Sequence, residues 1–167
     1  SGISNATQVS LGSSHTCARL SDSSLKCWGY NNKGQLGDNS TTQRTTPVAV
    51  SGITNAVEVG TGYNFSCARL STGVVKCFGD TNNDYLGDNR SDYRTPGAVN
   101  NLTSLTSGTA GRNHNCTVGS GGDIHCWGLN TGGQLGLGDL TNRLEPTSIS
   151  GLSASNISGG EDYTCAV

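Results

Sequence analysis

KCWGYNNKGQLGD at residues 26–38 and HCWGLNTGGQLGLGD at residues 125–139 are one phrase written twice, with KCFGDTNNDYLGD at residues 76–88 as a looser third copy. Working outward, the same beat runs through the whole chain. Cys17, Cys67, Cys116 and Cys165 stand 50, 49 and 49 residues apart, and Cys27, Cys77 and Cys126 follow them. Gly12, Gly62, Gly111 and Gly160 form another column, as do Pro47, Pro96 and Pro146. Such a period is the signature of a repeat architecture and takes precedence over local readings. It divides the chain into repeat units at 1–50, 51–99 and 100–149, with a partial fourth unit at 150–167, all within a single repeat domain.

Within the first unit TQVSLG, HTCARL, SLKCWG and PVAV read as short strands bounded by Gly and Ser clusters. SDSS between the second and third is a hairpin turn, and the matching STGV and SGGD carry the glycine such turns favour. The stretch after Gly29 is polar loop, and Pro47 suits the start of the last strand, where a missing N–H does least harm. No segment has a helical period. Four short strands per unit predict an all-β chain of propeller-type blades: about three four-stranded blades plus a partial unit.

Composition narrows the function. The chain has 167 residues and a mass of 17.1 kDa, and only 13% of residues are charged and 32% hydrophobic, against about 25% and 45–50% in ordinary domains. A net charge of −2 offers no basic surplus to displace counterions, so nucleic acid is not an expected partner. No apolar run reaches the ~20 residues of a membrane helix, so no membrane insertion is expected. No signal peptide opens the chain, which fits a mature or excised sequence.

The phrases GSSHTCARL, KCWGYNNKGQLGD, TPVAVSGI and HCWGLNTGGQLGLGD resemble the repeats of the regulator of chromosome condensation family. That resemblance covers the whole chain and implies β-propeller blades. Paired cysteines make the chain more similar to exported bacterial members than to nuclear ones. The second unit departs from the pattern, with Asp84 and Tyr85 in place of GQ, Phe65 for His15 and Phe78 for Trp28. A closed propeller of this type needs roughly 350 residues. Residues 150–167 match residues 1–18, so the two ends duplicate each other. If each blade joined the late strands of one unit to the early strands of the next, the N-terminal early strands would be left over, with an edge open to pairing.

The cysteines of each unit, Cys17/Cys27, Cys67/Cys77 and Cys116/Cys126, are separated by nine residues across a hairpin. Folding there brings them side by side on adjacent strands, which predicts one hairpin disulfide per unit and an oxidising compartment. The alternative is buried free thiols. The expected location is extracellular or at the cell surface, with the periplasm an option. Cys165 is the odd cysteine, expected to be unpaired or intermolecular. Metal ligation is not expected, since Cys-x9-Cys is not zinc spacing.

The remaining candidates are mostly architectural. His15, Phe65 and His114 share a column with Tyr163, and a column accepting His, Phe and Tyr reads as blade packing. Trp28, Phe78 and Trp127, and Leu36, Leu86 and Leu135, read the same way. Asp38, Asp88 and Asp139 recur after the leucine and suit Asx-turns, with calcium the sharper alternative. Asn39 and Asn89 head N-x-S/T triplets in equivalent loops and are the candidate glycosylation sites. No catalytic residue, cofactor or metal site is assigned. Loop tyrosines and the variable NNKG, TNND and NTGG segments are the places to look for a recognition face. The function expected is an exported, non-enzymatic structural or protein-interaction module, part of a larger closed propeller or a self-associating protomer of a ring or filament. Its partners are proteins or copies of itself through exposed strand edges, with glycan a further option. The alternatives are a propeller enzyme or glycan-binding module with a site across the blade channel, and then a GTPase nucleotide-exchange factor.

Overall fold

The computed structural model describes residues 3–82, 86–88, 93–102 and 104–167. The first unit folds as β1 (Ala6–Leu11), β2 (His15–Leu20), β3 (Leu25–Gly29) and β4 (Arg44–Ala49). The second gives β5 (Ala56–Thr61), β6 (Phe65–Leu70), β7 (Val75–Gly79) and β8 (Gly97–Ala98). The third gives β9 (Leu105–Ala110), β10 (His114–Gly119), β11 (Asp123–Gly128) and β12 (Arg143–Ser153), and β13 (Ile157–Gly159) and β14 (Thr164–Ala166) follow. They form three four-stranded antiparallel sheets in simple chain order and one two-stranded sheet, as blade-type repeats require.

Each four-stranded sheet is built from four strands consecutive in the chain, with β12 running on to Ser153, past the boundary expected at 149. Late strands therefore do not join the early strands of the next unit, and the surplus pair is β13–β14 at the C-terminal end, not β1–β2. Turns of a few residues link β1 to β2 and β2 to β3, and short connections favour pairing with the sequence neighbour. The β2–β3 turn needs a left-handed residue, supplied by Gly73 (φ 81°) and Gly122 (φ 86°) in two units and by Ser23 (φ 65°) in the first. Asp22 makes the serine tolerable there: its Oδ1 accepts from the Ser24 N–H at 3.0 Å and the Ser24 hydroxyl at 2.7 Å.

The apolar cores lie between blades, not within them. Leu25, Leu36 and Val50 of the first unit pack against Ile53, Ala56, Val59 and Phe78 of the second. Val75, Leu86 and Val99 then pack against Leu102, Leu105 and Trp127, and Ile124 and Leu135 against Ala154 and Ile157. Register produces this polarity. Cys17 faces Cys27 and Thr16 faces Trp28, and the second and third units repeat the pairing with Cys67–Cys77 and Cys116–Cys126. Successive residues of a strand point to opposite faces, so the cysteines look toward the next blade and the aromatic looks back at the previous one. All three hairpin pairs are disulfides, and Cys165 is an exposed free thiol.

The back-facing aromatic dictates a glycine on the blade it meets. A Cβ on Gly37 would lie 2.7 Å from the Phe78 ring, and one on Gly87 would lie 2.6 Å from the Trp127 ring. Both glycines also have left-handed backbones, at φ 64° and 67°. Gly136 has the same φ of 67°, yet its nearest neighbour would be Ile149 at 3.6 Å. Trp28 is half-buried.

Titration of accessible thiols in denaturant is expected to find one before reduction and seven after it; six or seven before reduction would refute the bridges. Gly87→Ala is expected to destabilise by about 2–5 kcal/mol, combining left-handed strain with overpacking. Gly136→Ala should cost only the strain, about 1–2 kcal/mol. Chemical denaturation of the two variants reads the difference.

Candidate interaction face

The β1–β2 turns and the long β3–β4 loops emerge at the same end of each blade. The Tyr30 N–H donates to the Ser14 carbonyl at 2.8 Å, and Asp80 to Asn64 and Leu129 to Asn113 repeat the bond. This end is the loop face. Its GQLG phrase is held from within. Asn31 is fully buried; its Oδ1 accepts from the Leu36 N–H at 3.0 Å and its amide donates to Asp38 Oδ1 at 3.1 Å. Asn130 does the same for Leu135 and Asp139. Gln35 and Gln134 turn their side-chain oxygens onto the N–H groups of Lys33 and Gly132, both at 2.9 Å.

Asp38 lies where an Asx-turn needs it. Its Oδ1 takes the Ser40 N–H at 3.1 Å and the Ser40 hydroxyl at 2.7 Å, and its Oδ2 takes the Arg44 guanidinium at 2.8 Å. Burial works to raise its pKa, but the bonds from Ser40, Arg44 and Asn31 prevail and hold it below the ordinary carboxylate value. Asp139 pairs with Arg143 at 2.6 Å in the same way, its pKa lowered first by that guanidinium. Asp88 is buried. Among the described residues no three His, Cys, Asp or Glu groups converge as a metal site would require.

The histidine column is internal. His15 Nε2 is 2.9 Å from Ser66 Oγ of the next blade, and the Ser66 hydroxyl donates to the Gln35 carbonyl at 2.9 Å. That donation uses the only hydroxyl proton, so Nε2 carries the hydrogen and Ser66 accepts it. His114, Thr164 and the Gln134 carbonyl repeat the chain with the same spacings. Both Nδ1 atoms are buried without a hydrogen-bond partner, tucked where a Cβ on Gly12 or Gly111 would otherwise be. Burial pushes His15 down to about 4, with the Phe65 backbone pulling weakly upward, and lowers His114 as well. Phe65 fills the corresponding place in the second unit over Gly62. His125, on β11, lies 3.4 Å from Asp123 and is partly exposed.

One column of the loop face points outward. Ser13, Tyr63, Arg112 and Glu161 each follow the repeating glycine and come side by side on successive blades. The Ser13 hydroxyl donates to the Tyr63 carbonyl at 2.8 Å, the Tyr63 N–H to the Arg112 carbonyl at 2.8 Å, and the Arg112 N–H to the Glu161 carbonyl at 3.2 Å. The Arg112 guanidinium lies 4.9 Å from the centre of the Tyr63 ring and pairs with the Glu161 carboxylate. The column flanks an open cleft of about 300 Å³ floored by Gly62, Gly111 and Gly160. Tyr63 is a loop tyrosine of the sequence reading, whereas Ser13, Arg112 and Glu161 were missed. Their signal was available as one position reading Ser, Tyr, Arg, Glu directly after the constant glycine column.

Other expected positions fall as follows. Asn31 and Asn130, which open the segments read as variable, face inward and support the loop instead of presenting it. Leu36, Leu86, Leu135, Phe78 and Trp127 are buried. Tyr30 is exposed beside the loop. Asn39 is exposed with φ 61°, its N–H donating to Arg94 of the neighbouring blade at 3.1 Å. Asn89, Asp84 and Tyr85 lie outside the described residues.

Stacked antiparallel blades with the GQLG loop at one end define a β-propeller repeat protein. The profile described as the Regulator of chromosome condensation (RCC1) repeat matches residues 25–69 and 121–167, and a second profile of that description matches residues 6–35; the chain belongs to this repeat family. It is 32% identical over 168 residues to the ultraviolet-B receptor UVR8 of Arabidopsis thaliana, covering 95% of this chain and 38% of that protein. Prp20p of Saccharomyces cerevisiae superposes with a TM-score of 0.88 at 22% identity, over 98% of this chain and 43% of that one. The ectodomain of the Physcomitrella patens receptor kinase CR4 does so at 0.60 and 22% identity, over 93% and 36%. The chain thus spans well under half the length of these relatives.

The buried histidines impose a pH dependence of stated sign. For His15, a folded pKa below the unfolded value leaves stability intact above about pH 6.5 and removes it as pH falls toward about 4, and His114 shifts in the same direction. For His15 that loss is on the order of 3 kcal/mol. Replacing both, His15→Phe with His114→Phe, is expected to flatten the denaturation midpoint across that window, and an unchanged slope would place the titration elsewhere.

Proposed function

We propose that the chain is an exported, non-enzymatic protein-interaction module that engages its partner through the loop face, with Tyr63, Arg112 and Glu161 as the contact column. The observation that carries this reading is the outward column over the cleft, set on a frame held by the buried Asn31, Gln35, Asn130 and Gln134. Tyr and Arg are the residue types that most often dominate binding energy at protein interfaces. Clamped between a ring and a carboxylate, the Arg112 side chain has little rotamer freedom left to lose on binding. Three disulfides favour an oxidising compartment, and no helix among the described residues is long and apolar enough to cross a membrane. The neighbour from Physcomitrella patens is a receptor ectodomain, and Prp20p is described by its binding to Gsp1p and histones; both support protein partners. The buried, neutral state of His15 and His114 favours a binding role over acid–base chemistry.

Self-association is a second reading, favoured by apolar side chains bare on β1: Val9 is 55% and Leu11 74% exposed. Native mass spectrometry separates it, since a discrete multiple of 17.1 kDa supports assembly and a lone protomer removes it.

A photo-crosslinking phenylalanine analogue at position 63, exposed to the medium of the producing cells, is expected to yield a discrete protein adduct. Arg112→Ala or Glu161→Ala should reduce the yield about tenfold or more, the scale of a hot-spot loss. The same probe at Thr72, in the β6–β7 turn on the opposite end of the blade, should give none. Equal yields from both ends would sink the assignment, and so would turnover of peptide or glycan substrates that falls with the same substitutions.

A further inference from the structure

One column in the first strand of each unit decides how well the bridge of the preceding blade is covered. Three residues before the repeating glycine stand Val9, Val59, Gly108 and Ile157, on β1, β5, β9 and β13. Strand register keeps them in step: Val9 faces Ala18, Val59 faces Ala68, Gly108 faces Thr117 and Ile157 faces Ala166. Val59 is buried in the core that holds Cys17 and Cys27, and Ile157 in the core that holds Cys116 and Cys126. Against Cys67 and Cys77 the same column brings Gly108, which has no side chain to offer.

The missing side chain leaves a slot between the second and third blades. It has a volume of about 30 Å³ and is lined by Gly60, Cys67, Gly108 and Ala110, with Glu58 and Arg69 on its wall. That is room for about one water-sized group. A second glycine widens it. Between the first two blades the Ser10 and Thr61 hydroxyls bond at 2.9 Å, whereas at the equivalent place Gly60 meets Ala110 and there is no hydroxyl. Of the six bridged cysteines, Cys67 alone is partly exposed; Cys17, Cys27, Cys77, Cys116 and Cys126 are fully buried.

We propose that the Cys67–Cys77 bridge is a reversible redox site, opened by a small polar thiol that enters this slot and attacks Cys67. The thiolate forms a disulfide with Cys67 Sγ and the bond to Cys77 breaks, Cys77 leaving as a thiolate that takes up a proton. A second thiolate attacks the sulfur of the first, which releases a low-molecular-weight disulfide and leaves Cys67 as a thiol. Two thiols are thereby oxidised to one disulfide while the protein bridge is reduced to two thiols. Access selects the bridge, because exchange requires a thiolate to reach the sulfur, and Val59 and Ile157 bar that approach at the other two. The Glu58–Arg69 pair, 2.9 Å apart, gives the wall both charges, which suits a hydrophilic thiol such as glutathione.

Peptide mapping tests this. The folded protein is treated with iodoacetamide to block Cys165 and then with reduced glutathione in the absence of oxygen, and newly freed thiols are trapped with an isotope-labelled alkylating reagent. Cys67 and Cys77 are expected to be freed at least about tenfold faster than the other four bridged cysteines, with the glutathione adduct on Cys67. All three bridges are read in one wild-type molecule, so this comparison does not depend on a variant. Gly108→Val should slow the opening of Cys67–Cys77 to the rate of the other two. A Cβ there would meet nothing nearer than Thr117 at 3.5 Å, so the valine is accommodated. Equal rates at the three bridges, no opening of any, an adduct on Cys77, or an undiminished rate in folded Gly108→Val protein would each overturn the proposal.

Discussion

The register between the second and third strands of each unit fixes the rest of the structure. Once Cys17 faces Cys27 and Thr16 faces Trp28, the alternation of a strand sends the bridge to one face and the ring to the other. A blade then has two unlike faces: one carrying the disulfide, Leu25 and Leu36, the other carrying an aromatic. Such a unit buries little alone and stacks head to tail on its own copies, the general logic of repeat proteins. The low hydrophobic content of 32% follows, because apolar side chains are needed at the faces where blades meet and not on the loop and turn ends.

Polar groups finish what the sparse core leaves undone. The buried Asn31, Gln35, Asn130 and Gln134 take up loop N–H groups that no strand can reach, and an unsatisfied buried donor is costly. Between blades, the side-chain amide of Gln8 bonds both the carbonyl and the N–H of Val59, each at 3.1 Å, copying a strand partner across the gap between sheets. The histidine–hydroxyl–carbonyl chain joins a strand and a loop of one blade to a strand of the next. It runs in one direction because the hydroxyl has a single proton. These ties leave the outward column of Ser13, Tyr63, Arg112 and Glu161 on a stiff base.

Much of this was legible in the sequence where spacing alone carries the information. The four strands of the first unit, the turn at Ser21–Ser24 and the pairing of cysteines separated by nine residues depend on alternation and hairpin reach, both local. The partition of strands into sheets was less legible, since a repeat period does not say at which residue a blade begins. Asn31 and Asn130 misled for a different reason. An asparagine in a Gly-rich loop normally signals a solvated turn, whereas here a fourteen-residue excursion (Tyr30 to Gln43) folds back on itself and needs an internal polar hub. The Arg112–Glu161 pair was missed because 49 residues separate two side chains that only blade stacking brings together, although both directly follow the repeating glycine.

The hairpin bridges also bear on how the chain responds to tension. Each closes a loop of ten residue steps inside one blade and none joins one blade to another. Pulled from its ends, the chain would part at the blade boundaries, and each bridge would withhold roughly 35 Å of contour length from extension. Force would therefore peel off whole blades while leaving the central hairpin of each one tied, ready to restack when the load is released.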